Sequence, residues 1–331
     1  MEIRVINAAQ VRHLLPMAGC IDAMEEALKA LARGEAENPL RSMVWLPDKR
    51  GLLVSMPSVM GEAMGIKVIS VMPENHGTAY DSHMGAVLLF ETKHGQPLAL
   101  IDASEITAIR TAAVSGVATR LLAREDASDL AILGTGVQAD SHLEAMLAVR
   151  KVRQVRVWSR SAVHRETFAA RAAERYRVTV TPVVSAQEAV QHADIICTTT
   201  SSNEPVLYGE WLSAGAHLNV VGASVPTARE VDSDAMRKAS LFVDRRESTL
   251  NEAGDFLIPK REGLIGDDHI RAELGDILLG NHAGRTAPEE ITLFKSLGLA
   301  VEDLASAQYI YQQALEQGIG TAVDFGATRT I

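Results

Sequence analysis

Residues 130–149 of this 331-residue chain, LAILGTGVQADSHLEAMLAV, run from an apolar strand through a glycine turn into a helix. The turn follows the pattern G-x-G-x-x-A, with Gly134, Gly136 and Ala139 at its fixed positions. Gly134 permits the tight turn, Gly136 lets the backbone approach a pyrophosphate, and Ala139 is small enough for the helix to pack on the strand. Because free N–H groups and the helix dipole attract anions, the turn predicts a dinucleotide-binding site.

The pattern that follows the turn predicts the fold. From residue 130 onward, apolar strands alternate with helical segments, which is typical of a doubly wound parallel sheet. The predicted strands are 130–134, 154–159, 178–184, 194–199, 217–222 and 240–244. We therefore expect an α/β chain with a Rossmann-type domain over residues 119–299.

The first 118 residues predict a small, mostly antiparallel sheet, and a helix over 103–122 leads out of it. The β-like runs are 42–46, 51–56, 64–72, 85–91 and 97–102. The segment 288–318 is interpreted as a long helix that is too apolar to stand alone. We expect it to pack back on the N-terminal sheet, so that residues 1–118 and 300–331 form one discontinuous α+β domain for substrate binding and dimerisation.

Composition narrows the class of partner. A net charge of −10 and a pI near 5.5 disfavour nucleic acid and anionic membranes. No apolar stretch approaches the roughly 20 residues of a membrane span, and no secretory leader opens the chain. Two cysteines, Cys20 and Cys197, are too few for a disulfide framework or a zinc knuckle, and the histidines lack metal-ligand spacing. We expect a cytoplasmic protein without a metal.

The second predicted strand of the Rossmann domain ends at Ser159 and Arg160. An acidic residue here would hydrogen-bond the ribose 2′-hydroxyl of NAD, whereas a hydroxyl and a cation suit a 2′-phosphate. The alternative is an arginine that only faces solvent. The pair favours NADP(H) as the cofactor, with NAD(H) as the alternative.

Three basic residues of the first domain lie in apolar surroundings. Arg41 begins a strand-like run, Lys67 lies within MGIKVISVM, and Arg110 lies within EITAIRTAAVSG. Buried cations are costly unless an anion pairs with them, and that anion could be a protein carboxylate. Three together favour a pocket that binds the carboxylate of a substrate.

Segments along nearly the whole chain resemble the ornithine cyclodeaminase/mu-crystallin family. They are NPLRSMVWLP (38–47), GIKVISVMPEN (65–75), DSHMGAVLLFE (81–91), EITAIRTAAVSGVAT (105–119), ILGTGVQADSH (132–142), VWSRS (157–161), VGASVPTAREVD (221–232), AELGDILLG (272–280) and TLFKSLGLAVEDLA (292–305).

The resemblance implies a homodimer that pairs through the discontinuous domain, a nicotinamide dinucleotide in the Rossmann domain, and small α-amino or α-imino acids as substrates. Arg41, Lys67 and Arg110 match the family residues that hold the substrate carboxylate, and Arg110 also matches a position close to the cofactor. Other cofactor-contacting positions are matched by Ser82, Thr111, Val137, Gln138, Ser159, Arg160, Thr199, Val221, Ser224 and Ser296.

One departure from the cyclodeaminase pattern concerns the acid/base group. Cyclodeaminases carry an aspartate two residues before a proline in this family motif, and GASVPTARE has Ser224 there. A serine without an activating partner is no general base near neutral pH. The cyclodeaminase substrate lysine is replaced by Ala228. Gly-Ala-Ser and His83 in DSHMG resemble the mu-crystallin-like branch, and His83 is either a proton donor or a structural ring.

The sequence therefore predicts an NAD(P)H-dependent reductase of a small cyclic ketimine carboxylate, such as pyrroline-2-carboxylate or piperideine-2-carboxylate. Arg41, Lys67, Arg110, Ser224 and His83 are its candidate catalytic residues. The alternatives are ornithine cyclodeaminase, a dehydrogenase resembling alanine dehydrogenase, and a non-catalytic NADP-binding protein of the crystallin type.

Overall fold

The computed structural model describes residues 2–75 and 78–326, and it divides into two compact units. The first unit comprises Met1–Arg110 and Leu299–Ile331, and the second comprises Thr111–Gly298. Residues 1, 76–77 and 327–331, which the predicted first domain includes, lie outside the described residues.

The first unit contains a mixed sheet and the helices that accompany it. Its elements are β1 (Glu2–Ile6), α1 (Ala8–Leu14), α2 (Met17–Ala32), β2 (Ala36–Glu37), β3 (Ser42–Trp45), β4 (Leu52–Met60), β5 (Ala63–Val71), β6 (His83–Glu91), β7 (Pro97–Asp102), α3 (Ala103–Leu122), α11 (Ala300–Gln317) and β16 (Thr321–Asp324). Helix α3 crosses the division between the units, which falls after Arg110.

The sheet of the first unit is antiparallel except for one pair. Its order is β16-β1-β7-β6-β5-β4-β2, with β3 paired to β4, and only β1 and β7 run parallel among the described strands. Helix α11 packs against α2 and against β4, β5 and β6. Lys67 and Ile69 are two residues apart in β5 and therefore point to the same face of the sheet. Both are buried, so this is the covered face.

The second unit is a parallel sheet with helical connections. After the C-terminal part of α3 come β8 (Asp129–Leu133), α4 (Val137–Val149), β9 (Gln154–Trp158), α5 (Ala162–Tyr176), β10 (Val180–Pro182), α6 (Ala186–Val190), β11 (Ile195–Thr198), β12 (His217–Val220), α7 (Ser233–Lys238), β13 (Ser240–Val243), α8 (Arg246–Glu252), α9 (Gly254–Arg261), β14 (Ile270–Glu273), α10 (Leu274–Leu278) and β15 (Thr292–Lys295).

The strand order of the second unit is β10-β9-β8-β11-β12-β15-β13-β14, and every described pair is parallel. From β8 the chain builds outward in one direction through β9 and β10, and then in the other direction from β11. The carboxyl ends of β8 and β11 therefore form a topological switch point, where doubly wound sheets bind their ligands. The predicted combination of a doubly wound parallel sheet and a mostly antiparallel sheet is confirmed.

The predicted helix over 288–318 is wrong in its first part. Thr292–Lys295 forms strand β15, which lies between β12 and β13, and helix α11 begins only at Ala300. All four residues of β15 are buried, so the strand shows no alternation of apolar and polar residues, and periodicity alone does not distinguish it from a buried helix. Gly298, with a φ of +78°, separates the strand from the helix.

No described helix is both long enough and apolar enough to cross a bilayer.

Candidate active site

The glycine turn after β8 has the geometry that a pyrophosphate needs. Gly134 has a φ of +121°, and a Cβ at this position would lie 2.7 Å from both the carbonyl oxygen and the Oγ1 of Thr199. Gly136 is the N-cap of α4, where no side chain caps the helix and nothing lies within 4 Å of the place a Cβ would occupy. The space beside Gly136 at the start of α4 is therefore open, and Val137 is 66 % exposed there. A phosphate fits this cradle.

The other predicted cofactor positions of the second unit lie mostly at the carboxyl edge of its sheet. Ser159 and Arg160 follow β9, where Ser159 Oγ donates to Ser161 O at 3.0 Å and the Arg160 side chain is exposed. Residues after β11, β12 and β15 complete the set: Thr199, Val221, Ser224 and Ser296. Thr111 is buried in α3, and Gln138 lies partly exposed in the first turn of α4.

In the first unit the structure brings Lys67 and Arg110 together on a pair of carboxylates. Lys67 Nζ lies 2.6 Å from Asp303 Oδ2, and both side chains are 1 % exposed. Arg110 Nε donates to Asp303 Oδ1 and its Nη1 donates to Glu302 Oε2, each at 2.9 Å. The carboxylates come from the first turn of α11. A protein carboxylate was one of the anions expected as a partner of these cations, and the structure contains two.

Electrostatics place Arg41 in the same neighbourhood. Burial lowers the pKa of Lys67 to about 8; the Asp303 charge opposes this shift, whereas the charges of Arg110 and Arg41 add to it. Burial alone would raise the pKa of Asp303, but Arg110 and Lys67 outweigh burial and lower it. We call Arg41, Lys67, Arg110, Glu302 and Asp303 the cation cluster. With Lys67 protonated, these five groups carry one net positive charge.

His83 and Ser82 lie at the start of β6 in the first unit. Ser82 Oγ and His83 Nδ1 are 3.1 Å apart, and His83 is the first residue of the strand. Partial burial of the ring and the nearby Lys67 charge lower the pKa of His83, so the neutral imidazole predominates near neutral pH.

Sequence reasoning missed Glu302 and Asp303 as parts of the site. In the sequence they are acidic residues near the start of a helix, a position that the helix dipole alone explains. The only signal for another role was that Lys67 and Arg110 needed anionic partners. Within the described ranges, no three side chains of His, Cys, Asp or Glu are placed to hold a metal ion.

Comparison with known proteins identifies a family and several similar proteins. The sequence profile described as the ornithine cyclodeaminase/mu-crystallin family matches residues 1–318. Delta(1)-pyrroline-2-carboxylate reductase of Bacillus cereus is 40 % identical over 324 residues, which cover 97 % of this chain and 99 % of the relative. Ketimine reductase mu-crystallin of Mus musculus is 41 % identical over 312 residues, covering 92 % and 96 %.

A solved structure is similar over almost the whole chain. It is Delta(1)-pyrroline-2-carboxylate reductase of Thermococcus litoralis in complex with NADH and L-proline, with a TM-score of 0.94 and 40 % sequence identity. The match covers 96 % of this chain and 99 % of the other.

Proposed function

Because this chain belongs to the ornithine cyclodeaminase/mu-crystallin family, we propose that it is an NAD(P)H-dependent imine reductase of the mu-crystallin-like branch. Its substrate is a small cyclic ketimine carboxylate of the pyrroline-2-carboxylate or piperideine-2-carboxylate type, and its product is the cyclic amino acid. The observation that carries the proposal is the cation cluster. The Bacillus cereus and Thermococcus litoralis reductases, both 40 % identical to this chain, support the substrate class.

The cation cluster suits a single carboxylate. Lys67 and Arg110 lie side by side on Asp303 and present two cationic side chains within one small region of the first unit. Lys67 and Arg110 are held by ion pairs of 2.6 and 2.9 Å in a buried environment, which fixes their donors before the substrate arrives. Hydrogen bonds from cations to a carboxylate are the stronger, charge-assisted kind.

When bound, the nicotinamide cofactor supplies the hydride that reduces the C=N carbon. The chain itself has to hold the dinucleotide, orient the ketimine and deliver a proton to the ring nitrogen. Gly134, Gly136 and the first turn of α4 hold the pyrophosphate. The ammonium of Lys67 could supply this proton, and so could ordered water; His83 could do so only in its protonated form, which is the minor one near neutral pH.

Ser224 directs the choice of reaction within the family. Cyclodeamination needs a carboxylate that shuttles protons during amine oxidation, ring closure and reduction, and Ser224 cannot replace one. Reduction of a preformed ketimine needs a held carboxylate, an aligned hydride donor and one proton. Ser224 can hydrogen-bond the substrate nitrogen or a water, which is sufficient for this simpler reaction.

The test is to offer the protein a panel of substrates together with NADPH and to measure NADPH consumption from the decrease in its absorbance. We expect turnover of pyrroline-2-carboxylate or piperideine-2-carboxylate without added ammonia, and at least tenfold lower kcat/KM for the matched control 1-pyrroline, which lacks the carboxylate. Release of ammonia and proline from ornithine, with no ketimine turnover, would identify a cyclodeaminase instead. Ammonia-dependent reduction of an α-keto acid would identify an amino acid dehydrogenase, and tight NADPH binding without any turnover would identify a binding protein.

The cofactor of this family member is a nicotinamide dinucleotide, and we propose that NADP(H) is preferred. The proposal rests on Ser159 and Arg160 at the end of β9, where a hydroxyl and an exposed guanidinium take the place of a carboxylate. The Thermococcus litoralis relative was solved with NADH, so the two cofactors have to be compared directly on this chain.

We also propose a homodimer, formed through the sheet of the first unit. Strands β3 and β4 expose large apolar side chains there: Val44 is 63 %, Trp45 is 52 % and Leu53 is 48 % exposed. Val44 and Leu53 are paired across the strands, so the apolar surface is contiguous, and contiguous apolar surface of this kind marks an interaction site.

Both cysteines are buried free thiols, which fits the cytoplasm as the proposed location.

A further inference from the structure

A buried glutamate of the second unit lies between the ends of two strands. Glu230 is 0 % exposed, and its carboxylate accepts four hydrogen bonds. Thr198 Oγ1 and the Gly222 N–H donate to Oε2 at 2.7 and 2.6 Å. The Thr200 N–H and Oγ1 donate to Oε1 at 2.6 and 2.7 Å. Glu230 thus ties the end of β11 to the end of β12.

The backbone around this carboxylate is packed as tightly as glycine allows. A Cβ on Gly222 would lie 2.0 Å from the carbonyl oxygen of Thr200 and 2.6 Å from Oε1 of Glu230. The two strand ends lead directly into Thr199 on one side and into Val221 and Ser224 on the other. Carboxyl ends of neighbouring parallel strands are where doubly wound folds bind their ligands.

A second pair of charges supports the same loop from behind. Asp255 Oδ1 accepts the N–H groups of Glu230 at 2.7 Å and of Val231 at 3.1 Å. Its Oδ2 lies 3.0 Å from Lys295 Nζ, which donates to the carbonyl oxygen of Ala223 at 2.7 Å. Asp255 and Lys295 are both 0 % exposed. The loop before Ser224 is therefore held at one N–H by Glu230 and at one C=O by Lys295.

We propose that Glu230, supported by Asp255 and Lys295, is the positioning residue that sets the backbone on which Thr199 and Ser224 contact cofactor and substrate. The proposal rests on the proposed function, because it assigns a role within the same site. All four groups around the side chain are donors, and an ionised carboxylate accepts from all of them without presenting a donor of its own.

The hydrogen bonds around Glu230 explain why a side-chain amide is a poor substitute for its carboxylate. Burial and the nearby Asp255 charge raise the pKa of Glu230, whereas hydrogen bonds from Thr200 and Thr198 and the Lys295 charge favour its ionised form. In Glu230→Gln, whichever way the amide is oriented, its NH₂ group faces either the Thr200 N–H or the Gly222 N–H. A hydroxyl can rotate away from such a clash, but a backbone N–H cannot, so one strand end has to move.

The matched control is Asp194→Asn at the opposite edge of the same sheet. Asp194 Oδ2 accepts the N–H groups of Ser128 and Asp129 at 2.9 and 3.0 Å, close to the start of β8 and of β11. This carboxylate also binds backbone amides, but it lies at the amino ends of the strands, away from Thr199 and Ser224. Both substitutions are expected to lower the melting temperature.

The readouts are amide hydrogen exchange of the cofactor-free protein, NADPH binding, and kcat per NADPH-binding site. We expect Glu230→Gln to accelerate exchange at residues 198–200 and 221–224 at least tenfold, to raise the dissociation constant for NADPH at least threefold, and to lower kcat per site at least tenfold. Asp194→Asn should leave both segments protected and kcat per site unchanged. Thr198→Val, which removes one donor, should give an intermediate increase in exchange and keeps the test decisive if Glu230→Gln does not fold.

Glu230 would be only a fold-stabilising residue if its variant kept the protection of both segments and the kcat per site of the control. Exchange is measured without substrate or cofactor. A wild type without imine reductase activity would therefore overturn the proposed function, while the exchange data would still decide whether Glu230 sets the conformation of this loop.

Discussion

Replacing Lys67 by methionine separates the two roles that the structure allows for this lysine. The side chain lies 2.6 Å from Asp303 Oδ2, with both groups 1 % exposed. Removing one partner of such a buried pair costs up to about 3–5 kcal/mol of unfolding free energy, and here Asp303 keeps only Arg110 as its cationic partner. If Lys67 also binds substrate, one charge-assisted hydrogen bond worth about 1.5–3 kcal/mol is lost. At about 1.4 kcal/mol per factor of ten, this predicts a fall in kcat/KM of roughly 10- to 140-fold.

The double variant Lys67→Met/Asp303→Asn is the informative comparison. It removes the buried carboxylate that has lost its lysine, so most of the lost stability should return, and the amide oxygen introduced at position 303 can still accept from Arg110 Nε. The net charge of the cation cluster is also restored to its wild-type value, since one cation and one anion have been removed. We expect kcat/KM to stay at least tenfold below wild type, because the ammonium donor itself is missing.

The assay is NADPH-dependent reduction of pyrroline-2-carboxylate, with urea unfolding for stability and NADPH titration as the control. The dissociation constant for NADPH should stay within about threefold in both variants, because the change removes a substrate contact. If the double variant regained wild-type kcat/KM together with its stability, Lys67 would be a counterion of Asp303 and no part of the substrate site.

Three further predictions concern the cofactor, the pH profile and the dimer. Arg160→Ala should weaken NADPH binding by about 1–3 kcal/mol and leave NADH nearly unchanged, whereas Arg153→Ala, at the amino end of the same strand, should alter neither; fluorescence titration of both cofactors checks this, and equal losses would refute the 2′-phosphate role. Because the pKa of Lys67 is lowered to about 8 and its cationic form binds the carboxylate, kcat/KM should fall above pH 8. The corresponding fall of kcat should lie at higher pH, since the bound carboxylate favours the charged lysine. If Lys67→Arg showed the same fall of kcat/KM above pH 8, the assignment to Lys67 would be wrong. Trp45→Glu should convert the dimer to a monomer by sedimentation velocity at micromolar concentration, with Lys49→Glu, in the exposed turn after β3, as the control; a monomeric wild type would refute the dimer.

Much of the fold was predictable because its signals are local. Helix 103–122 has the bounds of α3, and the strands that were predicted lie within a few residues of observed ones, since alternation and glycine turns depend on neighbours in sequence. The short strands β2 and β14 were not predicted. Strand β15 was not predictable in the same way. The run TLFK is uniformly buried, and only its partners β12 and β13 make it a strand. Strands β1 and β16 pair with each other from the two ends of the chain, a contact that no local pattern encodes.

The site divides along the same line. The glycine turn could be predicted from its spacing, because the turn requires residues without a Cβ at fixed positions. The surroundings of Gly134 in the structure leave no room for a Cβ, and those of Gly136 are open. The partners of Lys67 and Arg110 were not legible, because Glu302 and Asp303 lie almost 200 residues from Arg110 in the chain. Glu230 was missed for a related reason: its four donors come from two strand ends and a loop that only the parallel sheet brings together.

The protein carboxylates beside Lys67 and Arg110 do not compete with a substrate role; they make it feasible. Lys67 and Arg110 are buried cations that would repel each other without anions, and burial would drive the proton from Lys67. The Asp303 charge opposes that loss and leaves the pKa of Lys67 at about 8, so the lysine is mostly cationic at neutral pH. The two carboxylates stabilise the buried pair of Lys67 and Arg110 before a substrate binds. Glu302 and Asp303 thus keep both cations charged and in place, which is the state in which they would bind a substrate carboxylate.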